Sequence, residues 1–135
     1  MGSYYECSLN ILISVRPEDR ERAEKCVVDA AIPVFAEMGY DYDHERLAKK
    51  LEQWDIGEGE NRHICIGLYE DDLNYRPDWD QGDDVFQELA DKIAVKLEEL
   101  PLLEGSVSIP AYWSERAPDA SGYVRLPQKK AEAAT

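Results

Sequence analysis

The chain has 135 residues, 44% of them hydrophobic and 33% charged, which is enough for one domain that buries its own core without staples. Its net charge is −14, with 29 acidic against 15 basic residues. That balance makes DNA, RNA and anionic membrane surfaces poor partners, and is compatible with a basic protein surface, a cation, or an acidity that serves solubility in a salty cell.

From the N-terminus, MGSYYECS lacks the basic and apolar regions of a signal peptide, and Glu6 stands where a myristoylation signal requires Ser or Thr. Three widely spaced cysteines (Cys7, Cys26, Cys65) without a CxxC pair exclude a disulfide framework. No apolar run approaches the roughly 20 residues of a membrane span, so a reduced, cytoplasmic setting is expected.

Residues 5–15 alternate, with Tyr5, Cys7, Leu9, Ile11, Ile13 and Val15 on one side, and predict a half-buried strand. Pro17, followed by Glu18 and Asp19, opens a helix whose apolar stripe is Ala23, Cys26, Val27, Ala30, Val34, Phe35 and Met38. Pro33 interrupts it and predicts a kink near Asp29, and Gly39 stops it. Asp43 caps a short second helix carrying Leu47, Leu51 and Trp54.

After the glycines at 57 and 59, residues 63–69 (HICIGLY) form a second strand, and an acidic loop over 70–84 follows. Asp84 to Gln87 has the form of a capping box, opening a helix with Phe86, Leu89, Ala90, Ile93, Leu97 and Leu100 buried and Pro101 at its end. Residues 105–113 alternate again, and Pro110 predicts an edge strand or a bulge. A brief strand near Trp54–Gly57 would complete a βαββαβ order. The expected fold is α+β and ferredoxin-like, with two main helices on one face of an antiparallel sheet. The domain is expected over 1–125, with 126–135 a disordered tail.

The loop at 70–84 holds seven acidic residues, Tyr75, Trp79 and a single cation, Arg76. It resembles an EF-hand only superficially: Gly82 falls at the fifth position of a loop begun at Asp78, and Leu89 occupies the place of the bidentate glutamate. His44 and His63 lack zinc spacing, no nucleophile elbow occurs, and the acidic turn at Gly57–Glu60 has the wrong sign for a phosphate cradle. No catalytic residue, metal or cofactor is therefore assigned.

Carboxylates interleaved with aromatics suit a basic protein groove instead. The chain is read as a small non-catalytic acidic protein of inhibitor or immunity type, occluding a basic surface such as that of a nuclease. The partner-binding residues are Glu70, Asp71, Asp72, Tyr75, Asp78, Trp79 and Asp80. A second acidic region holds Asp41, Asp43, Glu45, Asp55, Glu58 and Glu60, interspersed with Tyr40, Tyr42 and Trp54. If both regions flank the strand at 62–69, they lie roughly 25–30 Å apart. The alternative reading is a small-ligand or cation-dependent enzyme using the sheet face around His63, Cys65 and Tyr69.

Overall fold

One strand organises the molecule. In the computed structural model, which describes residues 5–75, 84–113 and 121–128, the alternating segment forms β1 (Tyr5–Val15). Leu9, Ile11, Ile13 and Val15 on one side of it have no exposed surface, while Glu6 and Leu12 on the other are exposed. The elements that follow are α1 (Arg20–Glu37), α2 (His44–Ala48), β2 (Glu52–Ile56), β3 (His63–Tyr75), α3 (Val85–Leu97), β4 (Glu104–Ile109), β5 (Ala111–Trp113) and β6 (Gly122–Leu126).

The six strands form one antiparallel sheet in the order β2-β3-β1-β4-β6, with β5 paired to β1 in line with β4. The α+β class holds, but the element order is longer than βαββαβ: α2 is added before β2, and β5 and β6 follow β4. β6 (GYVRL) has no counterpart among the expected elements. It carries the sheet through Leu126, which is buried. Of the tail expected over 126–135, Leu126 thus belongs to the sheet, and residues 129–135 lie outside the described residues.

Helices α1 and α3 share the buried face. The expected stripes are the buried ones, and Phe35, Phe86, Leu89, Ile93 and Leu97 meet Leu9, Ile11 and Ile13 in one core. α1 runs through Pro33 and ends where Gly39, at φ 95°, takes the left-handed conformation that other residues resist. Gly39 N–H donates to Ala36 O at 3.0 Å and Tyr40 N–H to Phe35 O at 2.8 Å, the paired bonds of a Schellman stop. α2 is capped by Asp43, whose carboxylate accepts from Arg46 N–H at 2.8 Å. It is tied to α1 by His44 Nε2 against Asp29 Oδ1, also 2.8 Å. Only Leu47 of α2 is buried; Trp54 lies beyond the helix, in β2.

Three expectations are corrected. β3 continues to Tyr75, so the first six of the fifteen residues expected as an acidic loop are strand. The capping box does not form: the Asp84 side chain accepts no cap bond. Gln87 instead holds β6, donating from Nε2 to Tyr123 O at 3.1 Å and accepting Tyr123 N–H at 3.0 Å. Pro110 breaks the strand expected over 105–113 in two: β4 lies between β1 and β6, while β5 beyond the proline pairs only with β1 among the described residues. Ser8 N–H still donates to Pro110 O at 3.1 Å, so only the proline's missing donor is lost.

β6 sits so close to α3 that a Cβ on Gly122 would collide with the backbone carbonyl of Phe86. Gly122→Ala is expected to cost about 1–3 kcal/mol, as overpacking against an immovable backbone does, read as a lowered midpoint in urea with an unchanged slope.

Candidate binding surface

The predicted acidic residues divide by what the strand does with them. Glu70 sits opposite Leu9 and turns toward the helix side. There it meets Lys50 Nζ at 3.1 Å and accepts the Tyr42 hydroxyl at 3.2 Å, so its charge is internally compensated. Burial, then the Glu70 charge and hydrogen bond, push the Tyr42 phenol above its usual range. Tyr75 is buried, with its ring edge-on to Phe86 at 5.8 Å, and is core rather than surface anchor. Its place follows from the strand: two residues beyond Leu73, it falls on the buried side.

Asp71 and Asp72 are exposed and form a bulge. The register steps from Leu9–Glu70 to Cys7–Leu73, so two residues of β3 face Ser8 alone. Asp72 has φ 60°, a conformation that Asp tolerates better than most side chains. Its identity is thus accounted for by backbone as well as by charge. With Glu6, Ser8, Asn74 and Pro110, these two residues line a concavity of about 490 Å³. Asp78, Trp79 and Asp80 lie outside the described residues.

The second acidic region is split. Tyr40 and Tyr42 stack at 6.0 Å, and Asn74 N–H donates to the Tyr40 hydroxyl at 2.8 Å. Asp41 and Asp43, with Glu45 just beyond, are thereby brought beside the Glu70–Asn74 segment. Asp55, Glu58 and Glu60 stay at the far end of β3, around the β2–β3 turn. Asp55 is bidentate to Arg62 at 2.8 and 2.9 Å, and this pairing holds its carboxyl below the usual range.

The larger surface is the helix-free face of the sheet. Because directly opposite residues share a face, its rows can be read from the register. One row is Trp54, Cys65, Ser14 and Glu104; the next is Glu52, Gly67, Leu12, Ser106 and Arg125; the third is Tyr69, Asn10, Ser108 and Tyr123. Leu12 (37%), Trp54 (42%), Ile56 (44%) and Tyr123 (57%) are among the exposed large apolar side chains, and all four lie on this face. Around them stand Glu6, Glu52, Asp71 and Glu104.

Charge is distributed by element type. Arg125 is the only lysine or arginine in the six strands, against seven acids: Glu6, Glu52, Asp55, Glu70, Asp71, Asp72 and Glu104. The three helices are nearly balanced, with six basic against seven acidic residues. Sequence reading put the acidic partner site on the densest acidic run and named this face only around His63, Cys65 and Tyr69 for the alternative reading, although the alternation at 8, 10, 12 and 14 signals its extent.

His63, Cys65 and Tyr69 do share the open face. His63 Nδ1 is 3.1 Å from Asn61 O, Cys65 Sγ is 3.2 Å from Ser14 Oγ, and the Tyr69 ring lies over Gly67. Burial, Glu52 and Cys65 raise the Tyr69 phenol. His63 is engaged with Asn61, Cys65 with Ser14 and Tyr69 with Gly67, each a different neighbour. Among the described residues, no cluster of three His, Cys, Asp or Glu could hold a metal ion. No helix there is long and apolar enough to cross a membrane. Of the thiols, Cys7 is buried and pushed up to about 12 by burial, and burial also raises Cys26.

Two stability measurements separate these roles. Asp72→Val should cost about 1–2 kcal/mol, because a β-branched residue resists positive φ, while Asp72→Gly stays within about 0.5 kcal/mol of the parent. Equal effects of the two substitutions in urea melts would contradict the bulge geometry. Compared with family models, with curated proteins and with solved structures, the chain shows no match.

Proposed function

We propose that the protein acts by binding, presenting the helix-free face of its sheet to a basic surface of a partner protein. In this reading it is a non-catalytic inhibitor or immunity-type protein, and a nuclease or another nucleic-acid-handling protein is the kind of partner whose basic groove it would occlude. The observation that carries the reading is the charge on that face, where Glu6, Glu52, Asp71 and Glu104 stand against Arg125 while the helices are close to neutral; Glu70 and Asp55 turn to the other side and pair with Lys50 and Arg62. Carboxylates placed around exposed Leu12, Trp54 and Tyr123 combine long-range attraction with short-range apolar contact. The acidic concavity at the bulge extends this face toward Glu6 and Asp71.

The same reading takes the core as a ferredoxin-like arrangement with additions. What supports it is the antiparallel order β2-β3-β1-β4, with α1 connecting β1 toward β2 and α3 connecting β3 to β4. α2, β5 and β6 would then be elaborations. That fold carries many unrelated activities, so the function rests on the face and not on the fold.

Charge reversal tests the assignment. Glu6→Lys, Glu52→Lys and Glu104→Lys together should weaken capture and inhibition of basic nucleases by at least about tenfold. The same change in charge made on the helix side, with Glu21→Lys, Glu45→Lys and Glu88→Lys, should leave both close to the parent. Wild-type capture should also fall steeply between low and physiological salt. If the helix-side triple variant loses capture as fully as the sheet-side one, net charge rather than this face is responsible.

A further inference from the structure

The sheet has two edges, and they are treated differently. β6 is closed: its Tyr123 main chain is held on both donor and acceptor by the Gln87 side chain, and α3 lies directly against Gly122. β2 is open. Glu52–Ile56 are all exposed, and the strand contains no proline, no lysine and no bulge; of the devices that discourage edge pairing it has only its shortness and the charges of Glu52 and Asp55.

Which main-chain groups face outward follows from the ladder. Ser8 N–H donates to Pro110 O, and Leu103 N–H to Ser14 O at 2.9 Å, so the even residues of β1 direct their main-chain groups toward β4 and β5. By alternation, Ile11, Ile13 and Val15 bond across to Leu68, Ile66 and Ile64. Cys65 and Gly67 then bond to Trp54 and Glu52. Gln53 and Asp55 are left with N–H and C=O pointing away from the sheet, and no backbone bond reaches them among the described residues.

We infer that β2 is a self-complementary edge that pairs antiparallel with β2 of a second copy, about a two-fold axis through Trp54. In that register Gln53 faces Asp55 of the other copy at both ends, giving four backbone hydrogen bonds. Glu52 faces Ile56, and the two Trp54 side chains meet in the non-hydrogen-bonded position on the open face, where cross-strand aromatic pairs contribute most closely. No carboxylate opposes a carboxylate. Sliding one step one way sets Asp55 against Asp55; sliding the other way pushes Asp55 opposite Leu51, outside the strand. Asp55 is moreover already compensated by Arg62.

A five-residue edge buries little area, so the association is weak and concentration-dependent. Each copy carries −14, so added salt screens repulsion and strengthens the dimer. This is the opposite of the salt dependence expected for capture of a basic partner, and the two ideas stand or fall separately.

Sedimentation equilibrium of the full chain from about 5 µM to about 500 µM is the direct test. The weight-average mass should climb from 15.4 kDa toward twice that value, at lower concentration in high salt. Gln53→Pro removes an outward N–H without touching the β2–β3 ladder, and should hold the mass at 15.4 kDa with an unchanged far-ultraviolet spectrum. In a Cys65→Ser background, Trp54→Cys should form a covalent dimer under mild oxidation, since opposed Cα atoms about 4.5 Å apart suit a disulfide. Glu52→Cys, on the same face but off the axis, should not. A wild-type mass fixed at 15.4 kDa throughout, dimerisation of Gln53→Pro like the parent, or equal crosslinking at positions 52 and 54 would each overturn the proposal.

Discussion

Burial of one face of the sheet, and only one, is the constraint on which the other features depend. Leu9, Ile11, Ile13 and Val15 lie under two helices with no surface left exposed. At roughly 1.5–3 kcal/mol for each such side chain fully removed from water, the register of the central strand is strongly fixed. A slip of one residue would bring Ser8, Asn10 and Ser14 into the core and turn these four outward. The open face is therefore a necessary by-product of the core, and its small polar centre of Ser14, Ser106, Ser108 and Gly67 is what such a face can hold without a second layer.

The irregularities of the sheet fall in one row. On one side of Ser8 stands the bulge at Asp71 and Asp72; on the other stands Pro110, which accepts from Ser8 but donates nothing. A ladder disturbed on both sides at the same level bends and opens there, and the concavity of about 490 Å³ lies at that level. β3 can still continue to Tyr75 because the extra residue restores the alternation. Leu73 and Tyr75 return to the buried side and pack around Phe86. The bulge thus re-aims the strand so that an aromatic closes the core instead of facing water.

Electrostatics follow the same division. On the helix side, long basic side chains reach carboxylates of other turns or elements: Lys92 to Glu37 at 2.7 Å, Lys50 to Glu70, and Lys25 and His44 to Asp29. Exposed pairs of this kind contribute little each, but they remove net charge locally. Asp29 is pushed up by burial and pulled down more by His44 and Lys25, ending below the usual carboxylate range. On the open face Glu6, Glu52, Asp71 and Glu104 meet a single strand-borne basic side chain, Arg125. Glu104 and Glu52, in the rows of exposed Trp54 and Leu12, are the physical basis of the cationic partner proposed for this face.

Periodicity alone determined the first strand, the first and last long helices and their buried stripes, since a buried face at period 2 or 3.6 leaves its mark residue by residue. It also indicated the α+β class and a short strand near Trp54. Tertiary structure decided the rest. β3 runs through an acidic segment because Leu73 and Tyr75 are needed against Phe86, a requirement invisible in a local run of carboxylates. Gln87 bonds β6 and not its own helix start because Gly122 brings that strand within reach. β4 lies inside the sheet because β6 arrives from beyond it in the chain, and Pro110 separates it from β5. The candidate surface moved for the same reason: charge density is a property of the sequence, but which carboxylates remain unpaired depends on the neighbours that folding places beside them.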